Sequence, residues 1–179
     1  MKGKLVTLRP PLLSDAANIH KYSSSQDIPR FTFVPRNNTL EKVKKFIQQT
    51  GKDRKYGTTF TFTIVPHEHG HPVGMIGLMN INKVHRRVEM GYWMGKKFRG
   101  KGYMAEAIKL LLNFAFRNLK LQRVQASTLL DNEASQLLLE KCGFKFEGIL
   151  RQYFSHSKRF KDVRMHSILK NEFKPFSGS

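Results

Sequence analysis

GKKFRGKGYMAEAIKLLLNFAF, residues 95–116, sets four cations and three glycines directly ahead of a strongly helical, strongly apolar run. A loop leading into a helix start presents unpaired backbone N–H groups and the positive end of the helix dipole. Anions sit there readily. Glycine lets the main chain approach a phosphate without a β-carbon in the way, and it permits positive φ. Lys96, Lys97, Arg99 and Lys101 add Coulombic attraction around the rim. The segment therefore has the physics of a diphosphate seat, against the plainer reading of a turn with scattered charge. A lone Gly-x-Gly does not separate the two. The stretch lacks the Gly-Lys-Ser/Thr ending of a nucleoside triphosphate loop and the Gly-x-Gly-x-x-Gly spacing of a dinucleotide fold, so neither of those chemistries is indicated.

Working outward, residues 87–94 read as a strand that feeds this loop, and 59–65 and 73–81 as a hairpin around the turn HEHGH. Downstream, the spacing predicts a helix over 103–119. Its polar positions Glu106, Lys109, Asn113, Arg117 and Lys120 form one narrow wet stripe. A strand at 122–128, a helix at 132–141 ended by Gly143, and closing strands at 144–153 and 163–169 follow. Toward the N-terminus, a β-like run stops at Pro10-Pro11, and Ser14-Asp15 cap a short helix to about Tyr22. SSSQDIPRFTFVPRNN reads as loop with Phe31 and Phe33 embedded, and a further helix begins near Thr39. No repeat, low-complexity tract or linker interrupts residues 1–179. The expectation is a single α+β domain with a mixed, mostly antiparallel twisted sheet of about seven strands flanked by about four helices.

Thirty-two Lys and Arg against thirteen Asp and Glu leave a net charge of +19. Such a field attracts phosphorylated cofactors, RNA, acidic proteins and anionic membranes, and repels polycations. The lone cysteine, Cys142, excludes an internal disulfide framework, and its apolar helix end marks it as core. No secretory signal and no apolar run of membrane-spanning length is present, so a cytoplasmic protein without membrane contact is expected, as monomer or homodimer. His67, His69 and His71 are close in sequence, but Pro66 and Gly70 mark an exposed hairpin tip, and no metal is expected.

The order of motifs, with VEMGYWM, FRGKGYMAEA, a strand and then DNEASQLLLEKCGFKFEGILRQ, resembles the GNAT superfamily of acyl-CoA N-acyltransferases, and within it the ribosomal-protein alanine/serine N-acetyltransferases. The resemblance runs from LRPPLLSDA to KDVRMHSIL. It implies acetyl-CoA as co-substrate, seated on Arg99, Gly100, Lys101, Gly102 and Tyr103, with Met104 departing from the Gly/Ala of the family pattern. It also implies acetyl transfer to a primary amine, first of all the N-terminal α-amine of a ribosomal protein. A polyamine or aminoglycoside is the second choice. A non-catalytic RNA- or ribosome-binding protein on the same scaffold is the reading from another class, with the basic surface as its contact.

Acyl transfer needs a neutral amine, a polarised carbonyl and a stabilised thiolate. An α-amine titrates near ~8, so about a tenth is neutral at pH 7 and a carboxylate acting through water suffices as base. Glu89 is that candidate, with Gly91 and Trp93 on the same strand face; the alternative is a surface pair with Arg86 or Arg87. The N–H near Met94 is expected to polarise the thioester carbonyl. Asn132 and Ser135 share one side of a helix start. The resemblance gives Asn132 to coenzyme A and Ser135 to the leaving sulfur, whereas helix capping accounts for both without a ligand. Phe31, Phe33 and Trp93 are expected to line the acceptor cleft or, for the two phenylalanines, to staple their loop to the core. Arg151 and Asp162 are read as structural.

Overall fold

The computed structural model describes residues 1–32, 34–156 and 159–175. Seven strands lie in one sheet in the order β1-β2-β3-β4-β5-β7-β6. They are β1 (Val6–Arg9), β2 (Phe60–Pro66), β3 (Gly74–Asn82), β4 (Arg87–Met94), β5 (Arg123–Leu129), β6 (Lys145–His156) and β7 (Arg159–Leu169). All neighbours are antiparallel except β4 and β5. That pair is parallel because the chain returns between them through a helical crossover.

Five α-helices are present among the described residues: α1 (Ala16–Ser23), α2 (Asp27–Phe31), α3 (Leu40–Tyr56), α4 (Tyr103–Asn113) and α5 (Glu133–Lys141). The α+β class and strand count match the sequence expectation. The extra helix is α2, in a stretch that reads as loop by composition. It lasts barely more than one turn, too short for hydrophobic periodicity to register. Among the described residues no helix is long and apolar enough to cross a membrane.

The sheet divides the domain into two sides. On one, Ile108, Leu111 and Leu112 of α4 are fully buried against Leu78, Val88 and Met90. Truncating such a leucine to alanine costs about 2–5 kcal/mol. On the other, Ala16, Ile19, Val43 and Ile47 from α1 and α3 cover Met75 and Trp93. The long helix does not run regularly to residue 119. From Phe114 to Asn118 it widens into a π turn, with Leu119 N–H donating to the Phe114 carbonyl. There Phe114 makes edge contacts with Phe60 and Phe62, and Phe116 packs on Phe173.

The wet stripe of α4 also needs correcting at its first member. Glu106 is buried, and its carboxyl oxygens accept from the N–H groups of Lys4 (2.8 Å), Leu5 (2.7 Å) and Val6 (2.8 Å). A β-carbon on Gly3 would fall 2.6 Å from that carboxyl group. A charged side chain thus satisfies three donors where the chain enters β1, and polarity alone misleads about exposure.

Candidate active site

β4 and β5 pair only at Arg87–Arg123, Val88–Val124 and Glu89–Gln125. Beyond Glu89 the strands part, β4 running on to Met94 and β5 to Leu129. The wedge between them opens into a cleft of about 960 Å³. One end is walled by the 99–105 turn and the start of α5, the other by Phe31, Phe46, Thr61 and Met79.

At the first end Gly102 is the N-cap of α4. Gly100 and Gly102 have φ of +79° and +81°, the left-handed region that favours glycine. No hydrogen-bond acceptor is recorded among the described residues for the N–H groups of residues 100–105. A β-carbon on Gly100 would meet nothing within 4 Å, so the turn faces open space. Thr128 Oγ1, buried in the cleft wall, has no partner among the described residues. Open main-chain donors and an orphaned hydroxyl along one cleft fit a long phosphorylated ligand.

The cations around this turn are less free than their charge suggests. Arg99 Nε and Nη2 donate to the Met94 carbonyl at 3.0 and 2.8 Å, and Nη2 lies 2.5 Å from Asp27. Its guanidinium therefore braces the end of β4, while Met94 itself is a core side chain. Lys101 sits 3.2 Å from Glu68, and the Tyr103 hydroxyl donates to the same carboxylate, which pushes the phenol up to about 12. Lys97 lies over the rings of Tyr22 and Phe98. The HEHGH turn thus folds onto the back of the loop. His67 bonds Thr7 Oγ1, whereas His69 and His71 pack against Phe98, and among the described residues no three ligating side chains converge.

Glu89 lines the cleft at the point where the strands part. It accepts from Asn80 Nδ2 and from the Ser127 hydroxyl, both at 3.2 Å, and forms no ion pair with Arg86 or Arg87. Asn80 reaches it from a bulge between Met79 and Asn82 with φ of 56°, a conformation asparagine tolerates. Trp93 shares this face and packs against the α1–α3 cluster.

Tyr92 and Met94 point to the opposite face. The Tyr92 hydroxyl is 2.7 Å from Ser135 Oγ, and burial drives the phenol pKa well upward, so it remains a proton-bearing group. Sequence reading passes over Tyr92, because strand alternation assigns it to the core side. Only its hydroxyl hints at another task. Asn132 Oδ1 accepts from the Ser135 N–H at 3.3 Å, so the asparagine caps α5.

Phe31 ends α2, half-buried against Leu129, Phe154 and Val163. Phe33 lies outside the described residues. Two ion pairs hold α2 across the cleft mouth, Asp27 to Arg99 and Arg30 to Asp131 at 2.8 Å. Burial works against ionisation of Asp27, but hydrogen bonds from Ser25 and Arg99 outweigh it and lower its pKa. Arg30 lowers that of Asp131. Cys142 is buried core, and Asp162 accepts from the Gln152 N–H in the β6 bulge.

Comparison with known proteins gives this wedge between two parallel strands, with its glycine turn, a family. Residues 6–145 match the model of the GNAT acetyltransferase domain, and the chain belongs to that family. It is 30% identical to the N-acetyltransferase p20 of Bacillus licheniformis, with 94% of each chain covered. It is 38% identical to YdaF of Bacillus subtilis, named as a ribosomal N-acetyltransferase, over 58% of this chain and 57% of that one. A spermidine N(1)-acetyltransferase of Vibrio cholerae is 23% identical, with 94% and 95% covered. Among solved structures, an acetyltransferase superposes with a TM-score of 0.87 at 26% identity, with 95% and 96% covered. RimL, a ribosomal alpha-N-protein acetyltransferase in complex with coenzyme A, gives 0.84 at 19% identity, with 93% and 94% covered. The protein is a GNAT-type acetyltransferase, a class that takes its acetyl group from acetyl-CoA.

Proposed function

We propose that the acceptor is the N-terminal α-amine of a protein, a ribosomal protein first of all, met in the cytoplasm. The observation that carries this reading is the composition of the cleft beyond the wedge. Among its described lining residues the only acids are Asp27 and Glu89, and Asp27 is already paired with Arg99. Phe31, Val34, Pro35, Phe46, Met79 and Trp93 supply the rest of an apolar wall. One free carboxylate and apolar walls suit a single amine followed by peptide. A polyamine carries several cations, each costly to bury without a partner, and the +19 field opposes its approach.

Bound acetyl-CoA supplies the activated acetyl thioester. The N–H groups of residues 100–105 and the Thr128 hydroxyl are the donors that would hold it. Glu89, oriented by Asn80 and Ser127, takes the proton of the incoming ammonium through one water. From the opposite face Ser135 Oγ donates a hydrogen bond to the departing sulfur, while the Tyr92 phenol donates to Ser135 Oγ. The high phenol pKa suits Tyr92 to keep its proton throughout.

The test is thiol release from acetyl-CoA against N-terminal peptides, spermidine, spermine and aminoglycosides. Turnover with peptides at kcat/KM at least tenfold above any polyamine is expected. The relatives named spermidine acetyltransferases make the polyamine arm the meaningful competitor. Turnover with polyamines alone overturns the assignment.

A further inference from the structure

The sheet has a second, strongly basic end. Strand directions place the start of β4, the start of β5, the close of α3 and the β3–β4 turn together, a full strand length away from the 99–105 turn. Lys52, Lys55, Lys83, Arg86, Arg87 and Lys120 are all exposed there, and none has an ion-pair partner among the described residues. The loops are physically joined. A β-carbon on Gly57 would lie 3.9 Å from Lys83 Nζ, and the Arg86 carbonyl accepts from the N–H groups of Gln122 and Arg123.

Two observations lift this cluster above a solvated basic surface. Arg86 and Lys120 hold φ of 48° and 54°. An ordinary side chain in that region costs about 1–2 kcal/mol where glycine would cost little. Strain is retained at two cations that make no ion pair in the fold. The second observation is an open pocket of about 530 Å³ that adjoins the cluster through Lys83 and is lined also by Tyr56, Thr58, Asn80 and Asn82. Tyr56 is 73% exposed, far above what an aromatic ring needs for packing.

We propose that this end binds single-stranded RNA, with one base stacked on Tyr56 and the surrounding Lys and Arg on flanking phosphates. Thr58 Oγ1, Asn80 Nδ2 and Asn82 Oδ1 are bonded within the fold to Asp53, Glu89 and His85, which fixes both amides beside the ring and leaves Asn80 Oδ1 and Asn82 Nδ2 as the edge a stacked base would use. An acidic polypeptide or an anionic lipid surface would use the cations but not the ring and its polar rim. The pocket borders the cleft, sharing Thr59 with it and Asn80 with the Glu89 contact, but Tyr56 and Arg86 do not line the cleft, so changes there test RNA binding apart from the acceptor assignment. It would let the enzyme hold a ribonucleoprotein while the cleft stays open to a chain end.

The test is fluorescence anisotropy with a labelled single-stranded RNA dodecamer, with acetyl-CoA turnover on a peptide followed in the same samples. Contact with about five phosphates predicts a roughly 100-fold loss of affinity between 50 and 200 mM salt. Tyr56→Ala should weaken binding about tenfold with the salt slope unchanged. Arg86→Gly should weaken it severalfold while thermal stability holds or rises, because the left-handed strain is relieved. Turnover should not change in either variant. Unchanged RNA affinity in Tyr56→Ala, or equal binding of polyglutamate or phosphatidylserine vesicles, overturns the proposal. Absence of turnover on the peptide in the parent protein, with RNA binding intact, would count against the acceptor reading and leave this one standing.

Discussion

The two ends of the cleft are held by different interactions. At the cofactor end a buried carboxylate, Glu106, takes three main-chain donors and locks the entrance of β1 to the first turn of α4, and Arg99 braces the last carbonyl of β4. At the acceptor end a helix of barely more than one turn, α2, is clipped by an exposed ion pair, Arg30–Asp131, and a half-buried one, Asp27–Arg99. Buried charge-assisted hydrogen bonds are costly to break, whereas exposed ion pairs contribute about 0–1 kcal/mol. On the proposed assignment the cofactor end is therefore a rigid seat and the acceptor end an adjustable cover. A common co-substrate needs one shape, but an acceptor must enter and leave.

The largest effect is expected where the two ends meet. Glu89→Gln removes the proposed proton acceptor while allowing bonds to Asn80 and Ser127. We expect kcat/KM to fall about 100-fold near pH 7. The loss should narrow above ~8, where the α-amine is already neutral and needs no base. A pH–rate profile parallel to that of the parent protein would exclude Glu89 as base.

Next comes the lock itself. Glu106→Gln leaves at least one buried N–H of residues 4–6 without an acceptor, a cost of about 2 kcal/mol. The midpoint of thermal unfolding should drop by roughly 4–8 °C, read by calorimetry. Gly3→Ala should do comparable damage, since its β-carbon would meet the Glu106 carboxyl group at 2.6 Å. A shift below 1 °C in both variants would make the seat no more rigid than the cover.

What could be read in the sequence follows the same division. The cofactor end is written in main-chain terms, with two glycines in the left-handed region and a helix start, and such features survive as a short local pattern. The acceptor end is assembled from α2, α3, β2 and β4, which are distant in sequence. No spacing rule announces that Asn80 will turn through a bulge toward Glu89, or that Tyr92 will meet Ser135 across the wedge. Glu106 escaped for a related reason, because its three donors come from a segment about a hundred residues earlier.

Tyr92→Phe probes one of those unannounced contacts. It removes the hydroxyl 2.7 Å from Ser135 Oγ and leaves the ring. About a tenfold fall in kcat is expected, with the affinity for coenzyme A by calorimetry unchanged within twofold. Combining it with Ser135→Ala should add little beyond the serine change alone, because the phenol acts through that hydroxyl. Full additivity would separate the two residues.

The smallest effect belongs to the cover. Arg30→Ala cuts the pair with Asp131, whose side chains are 59% and 48% exposed, so stability should change by less than about 1 kcal/mol. Losing one of two clips should still alter how α2 sits over the cleft mouth. The expectation is a two- to fivefold rise in the KM for a peptide acceptor, with the KM for acetyl-CoA unmoved. Raising ionic strength should produce the same asymmetry in the parent protein, since exposed pairs are screened and the buried Glu106 bonds are not. If salt raised the acetyl-CoA KM and spared the peptide KM, the rigid and adjustable ends would have to be exchanged.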